Sequence, residues 1–195
     1  LNDNTTDGNT AVGTECLSKN STGSNNTAVG FQSLENNTTG AQNTAIGRQT
    51  METCTTGQDN TAVGAYSMDT LTTGTDNTAC GYNSMTNITT GDENVAVGES
   101  SAQSLTTADG NTCIGQDSGG IITTSPSNTM LGRDTDPSSA TSGGHEIAIG
   151  ANSAGKGTST GFMNANGGGN YAGNNSASWS TTSDRRIKKN ITDNN

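Results

Sequence analysis

An all-β parallel solenoid with 17-residue coils is the fold class this sequence predicts. Three observations predict it: a short phrase that returns nine times, apolar columns in phase with that phrase, and glycine-rich corners between them. Asn9-Thr10-Ala11-Val12-Gly13 reappears at Asn26 to Gly30, Asn43 to Gly47, Asn60 to Gly64 and Asn77 to Gly81. Variants follow at Asn94 to Gly98, Asn111 to Gly115 and Asn128 to Gly132, and His145 to Gly150 closes the series. Successive closing glycines are 17 residues apart from Gly13 to Gly132, and the last interval, to Gly150, is 18. A period this strict signals one structural unit stacked on copies of itself.

Composition agrees with a stack and disagrees with a globule. Of the 195 residues only 27% are hydrophobic and 3% aromatic, too few for a conventional core to offset the entropy of ordering. In a solenoid each coil contacts only its neighbours, so a thin continuous column of apolar side chains is enough. The net charge is −10; through Ser183 there are 16 acidic residues against Lys19, Arg48, Arg133 and Lys156, hence 4 − 16 = −12. Such an acidic body repels phosphate, which excludes nucleic acid as a partner. No apolar run approaches membrane-spanning length, and no membrane insertion is expected.

Residues 1–150 are read as a shaft of nine coils. Within it Leu17, Leu34, Met51, Met68 and Met85 form one apolar column, and Leu71, Ile88, Leu105 and Ile122 a second. The third is the valine of the phrase: Val12, Val29, Ile46, Val63, Val97, Ile114, Leu131 and Ile149. Helix is excluded, since Gly, Thr and Asn are poor helix formers and no i, i+3, i+4 pattern persists. The phrase alternates as a strand does, which predicts its threonine and valine on the core side and its alanine on the opposite, outer face. Ala11, Ala28, Ala45, Ala62, Ala79, Ala96 and Ala148 would then form a uniformly small outer row against which another subunit packs. Asn9, Asn26, Asn43, Asn60, Asn77, Asn94, Asn111 and Asn128 are expected to form a structural ladder whose amides link coils about 4.8 Å apart. The closing glycine permits positive φ or close backbone approach.

From Gly132 the pattern loosens, and Pro137 to Gly144 reads as an inserted loop. Residues 151–182 are rich in Gly, Asn and Ser but hold Phe162, Tyr171 and Trp179, half of the six aromatics, which reads as a small terminal tip. Residues 183–195 carry the only basic cluster: Arg185, Arg186, Lys188 and Lys189. The four cysteines occupy small or apolar slots in different columns, which suits buried thiols better than disulfides or a zinc site.

Asn-Thr-Ala-Val-Gly, with Asn94-Val95-Ala96-Val97-Gly98 and Ile147-Ala148-Ile149-Gly150, resembles the head repeats of trimeric autotransporter adhesins over about residues 1–150. The resemblance implies a left-handed parallel β-roll in a homotrimer, with the alanine face near the subunit contacts. The period is somewhat longer than in those heads, which implies an enlarged outer loop. The stretch Trp179-Ser180-Thr181-Thr182-Ser183-Asp184-Arg185-Arg186-Ile187-Lys188-Lys189-Asn190-Ile191 resembles the junction that opens the self-cleaving intramolecular chaperone of phage tail spikes and fibres. Carried over, Ser183 is the nucleophile, Asp184 the first residue released and Lys188 the general base; a desolvated lysine can lose its proton and activate a hydroxyl. Only 12 residues follow Ser183, so the chaperone would be truncated here.

Phe162, Tyr171 and Trp179 are receptor-binding candidates by stacking on sugars, against a competing role in packing the terminal region. His145 is taken as a stand-in for the ladder asparagine rather than a metal ligand, and no metal or cofactor is expected. The threonine column at Thr39, Thr56 and Thr73 presents only one outward row, too little for binding ice.

These readings combine into a homotrimeric viral tail fibre on the virion surface. It would hold a contact to a host-surface glycan or protein and join an upstream virion protein through residues N-terminal of Leu1. Its only chemistry would be a single self-cleavage. A bacterial trimeric adhesin head or a purely structural extracellular filament shares the same shaft. A glycan-cutting spike would need paired carboxylates in a groove, whereas the acids here are scattered over the corners.

Overall fold

In the computed structural model, which describes residues 7–165, 168–172 and 180–181, one residue triplet per coil forms a strand. These are β1 (Thr10–Val12), β2 (Thr27–Val29), β3 (Thr44–Ile46), β4 (Thr61–Val63), β5 (Thr78–Cys80), β6 (Val95–Val97), β7 (Thr112–Ile114), β8 (Thr129–Leu131) and β9 (Ile147–Ile149). Three more follow: β10 (Gly161–Ala165), β11 (Gly168–Ala172) and β12 (Ser180–Thr181). Strands β1 to β10 pair in parallel and in sequence order, and β10, β11 and β12 pair antiparallel at the end of the same sheet. The register from β1 to β8 is the 17-residue repeat itself, with Thr10 opposite Thr27 and Ala62 opposite Ala79. The chain is thus a parallel β-solenoid, with no helix among the described residues.

The sheet is only one of the seams between coils. Leu34 N–H donates to Thr50 O and Met68 N–H to Ser84 O at one corner, while Thr55 N–H donates to Thr72 O and Thr72 N–H to Thr89 O at another. Corner backbone is therefore hydrogen-bonded even where no strand forms, which satisfies groups that the glycine-rich turns would otherwise leave open. The tight corners require left-handed backbone, seen at non-glycine residues such as Met51 (φ 50), Asp59 (φ 57) and Tyr66 (φ 59) in each coil. The closing glycine has both properties its position predicted. Gly47 has φ 143, and a Cβ built on it would lie 2.6 Å from Gly64 O.

Which side of the strand faces the core is the reverse of the sequence expectation. Ala28, Ala45, Ala62, Ala79, Ala96 and Ala148 are fully buried, whereas Val12 is 58%, Ile46 40% and Val97 37% exposed. The reason is width. The Leu17-to-Met85 column and the Leu71-to-Ile122 column are both fully buried and already fill the interior, so the strand can contribute only a methyl group. Two of the three predicted apolar columns form the core, and the third lies outside it. Where the inner strand residue grows from Ala96 to Cys113, the facing residue six positions on shrinks from Ala102 to Gly119. The Cys113 thiol takes up the space a side chain at Gly119 would need.

A polar seam runs beside this core. Ser33 donates to Ala45 O at 2.9 Å, Ser101 to Cys113 O at 2.9 Å and Ser118 to Met130 O at 3.0 Å, all from buried hydroxyls. Cys16 occupies the same slot and its thiol points at Ala28 O, 3.1 Å away. At the far end Phe162 stands opposite Ala148 in the inward column and is 6% exposed, so a full aromatic ring closes a column otherwise built mainly of alanines.

Candidate functional site

Three features of the described chain bear on function: the asparagine ladder with its terminus, the outward apolar face, and an aromatic corner. The ladder is continuous. The backbone N–H of Asn26, Asn43, Asn60, Asn77, Asn94, Asn111 and Asn128 each donates to Oδ1 of the asparagine 17 residues earlier, at 2.8–3.1 Å. Each Nδ2 from Asn9 to Asn94 donates to the corner carbonyl 14 residues on, from Gly23 O to Ala108 O, at 2.8 Å. One side chain therefore satisfies a backbone donor and a corner acceptor that no water reaches, which explains why Asn recurs where an ionised Asp could only accept.

The ladder ends in Glu146, not His145. Glu146 N–H donates to Asn128 Oδ1 at 3.2 Å, whereas His145 is exposed and adopts the left-handed corner conformation (φ 59) that Asp76 and Glu93 adopt in earlier coils. The extra residue of the last interval thus falls before the phrase. The Glu146 carboxylate is fully buried and accepts from Ser138 N–H (3.1 Å), the Ser138 hydroxyl (2.6 Å) and Gly157 N–H (3.2 Å). It ties the inserted loop and the approach to β10 onto the last coil. This clasp was invisible in the sequence, except that counting back from Gly150 puts Glu146 in the ladder phase.

The outward face of the strands carries two columns. One is mainly threonine, from Thr10 to Thr129, with Val95 and Ile147 as the apolar exceptions. The other holds Val12, Ile46, Val63, Val97, Ile114 and Leu131, between 36% and 58% exposed. Cys80 is exposed in that same column, while Cys16, Cys54 and Cys113 are buried, and all four are free thiols. Burial pushes the Cys54 thiol up to about 11, and burial, with Asp136 adding to it, pushes Cys113 up to about 12. Those two stay protonated and inert at neutral pH.

The aromatic corner was missed by sequence reasoning, which weighed only the tail aromatics. Tyr66 and Tyr82 meet edge to face, with centroids 5.9 Å apart and planes at 87°, and Arg48 Cζ lies 5.3 Å from the Tyr66 ring centre. The available signal was phase. Arg48 and Tyr82 each follow a closing glycine, and Tyr66 is one position further on in the coil between them.

Of the predicted receptor candidates, Phe162 is buried with Lys156 Nζ 4.5 Å above its ring, and Tyr171 stands opposite it in the β10–β11 pair. Trp179, and the cleavage residues Ser183, Asp184 and Lys188, lie outside the described residues. Among the described residues no three His, Cys, Asp or Glu converge to hold a metal ion, and no helix is long and apolar enough to cross a membrane. No family model, curated protein or solved structure matches the chain.

Proposed function

We propose that this chain is the shaft and tip of a homotrimeric attachment fibre of a phage or similar virus, a left-handed β-roll matured by one cleavage after Ser183. The observation that carries the reading is the exposed Val/Ile column. In a single chain it is a contiguous apolar stripe along most of the rod, and soluble chains rarely leave such a stripe uncovered. Two further copies of the chain, offering the same stripe in the same register, are its natural cover. The subunit contact in this reading is the valine face, not the alanine face that the resemblance implied, because the alanines are consumed by the core.

The solenoid suits a spacer that holds a contact surface away from a particle. Nine stacked coils reach roughly 40 Å at the usual strand spacing. The acidic surface, rich in Asn and Thr, favours wet, polar recognition of a host-surface glycan or protein. Cleavage would release the stretch beginning at Asp184, with Lys188 as base, in a single turnover.

Sedimentation equilibrium tests the assembly. The expected mass is three times the 19.6 kDa chain, falling to one chain when Val63 and Val97 are both replaced by Lys. A wild-type chain that sediments as a monomer removes the observation on which the proposal stands. Intact mass of the product made with its native continuation tests the cleavage. A carboxyl terminus at Ser183, lost in Ser183→Ala, is expected.

A further inference from the structure

The corner formed by Arg48, Tyr66 and Tyr82 narrows the attachment reading, on which this inference rests, to a ligand class and a place. Arg48, Ala65 and Tyr82 follow the closing glycines of three successive coils and so form one column. Ala65, in the middle, is too short to separate its neighbours, and Tyr66 from the adjoining column contacts both Arg48 and Tyr82. Tyr82 is 51% exposed and Arg48 is exposed, so ring and guanidinium both face solvent, with Tyr66 between them.

Size excludes a protein partner for this patch by itself. Two coil spacings separate Arg48 from Tyr82, roughly 10 Å at about 4.8 Å each. That is the width of one or two pyranose rings, and a patch about 10 Å across covers on the order of 100 Å², far below the about 800 Å² per partner that a stable protein interface buries. Charge selects among sugars. The ion pairs among the described residues are Lys19 with Glu35 and Arg133 with Asp134, and Arg48 makes none there. It lies over a tyrosine instead, on an otherwise acidic body. A guanidinium held by a ring keeps its fork of donors for an incoming carboxylate. Gln49 and Asn83 flank Tyr66 in its own column; the Gln49 amide is held by Glu52, to which its Nε2 donates at 2.7 Å, which leaves Asn83 as the amide at the rim.

We propose that this corner binds a carboxylated pyranose, a uronic or sialic acid unit of a surface glycan. The sugar ring lies on Tyr82, and its carboxylate meets Arg48. The aromatic face supplies the apolar contact for the sugar's C–H groups, and the guanidinium supplies the preference for an acid over a neutral sugar.

Saturation-transfer difference NMR on the full chain tests this, with methyl glucuronide, a methyl sialoside and methyl glucoside as probes. The wild type is expected to saturate the ring protons of at least one acidic probe more strongly than those of the glucoside. Tyr82→Ala is expected to abolish the signal. Arg48→Gln is expected to reduce the acidic probe to the level of the glucoside, a loss on the order of tenfold in affinity. Tyr82 is exposed, so the fold should survive its removal, and an unchanged circular dichroism spectrum checks that. No saturation of either acidic probe by the wild type, or equal saturation by wild type and both variants, overturns the proposal. Adhesion to host cells separates the two readings. Adhesion undiminished by Tyr82→Ala keeps the attachment function and refutes this site, whereas Tyr82-dependent binding of an acidic probe without adhesion keeps the site and refutes attachment.

Discussion

Replacing Asn77 with Ala removes one rung from the middle of the ladder, and the cost can be worked from its partners. Asn77 Oδ1 accepts from Asn94 N–H at 3.0 Å and from Asn94 Nδ2 at 3.1 Å. Its Nδ2 donates to Gly91 O at 2.8 Å and to Asn60 Oδ1 at 3.1 Å. After the substitution, Asn94 Nδ2 still reaches Ala108 O at 2.8 Å, and Asn60 Oδ1 still accepts Asn77 N–H at 3.0 Å. Two buried main-chain groups lose their partner: Asn94 N–H and Gly91 O. At about 1–3 kcal/mol for each orphaned group, the loss is about 2–6 kcal/mol, a large share of the about 5–15 kcal/mol that holds a domain folded. Guanidinium unfolding followed by circular dichroism reads this, with Thr78→Ala as the control. Thr78 is exposed on the same strand, and its truncation should stay within about 0.5 kcal/mol of wild type. Asn77→Asp refines the test, since the carboxylate keeps the acceptor for Asn94 N–H but turns an oxygen towards Gly91 O. Its stability should fall as pH rises and the acid ionises. If Asn77→Ala unfolds like Thr78→Ala, the ladder does not hold the coils together and the reasoning fails.

Further expectations follow from the same geometry. Gly64→Ala should destabilise by about 2–5 kcal/mol, because φ is +137 there and the new Cβ would sit 2.6 Å from Gly81 C; calorimetric melting checks it. Asp69 is raised from 3.8 to about 6, first by burial and then by the charge of Glu52. The folded chain therefore holds a proton between those values that the unfolded chain has lost, and stability should decline as pH rises through that window. Denaturant midpoints across the window should show the slope in wild type and a flatter profile in Asp69→Asn. Cys54 and Cys113 should resist alkylation in the folded chain and react fully after unfolding, as mass spectrometry of the labelled chain would show.

The coil length, the strands and the glycine corners were legible because each is a statement about period, and a 17-residue period survives in the residues themselves. The facing of the strand was not. Alternation says that Ala28 and Val29 point to opposite sides, but it is silent on which side is the core. Volume decides that question. Four large residues per pair of coils already occupy the interior around Leu71 and Met85, and the unbroken smallness of Ala28, Ala45, Ala62 and Ala79 was the trace of that crowding. The Glu146 clasp was obscured by the 18-residue interval, which leaves the phrase ambiguous by one position when read forwards from Asn128. The aromatic corner was obscured because Tyr66 and Tyr82 are 16 residues apart, off the period by one, so they belong to adjacent columns. Only the coil's winding brings their rings together.

The reactivity of Cys80 tests the central claim, that the outward valine face is covered by sister chains, most directly. Cys80 is the one exposed thiol of the four and stands within the apolar column, between Val63 and Val97. Titration of the native wild-type chain with a thiol reagent is predicted to label no cysteine quickly, and the Val63→Lys, Val97→Lys chain to label one, at Cys80. Rapid, complete labelling of Cys80 in the native wild type would show the face open to solvent and would contradict the account.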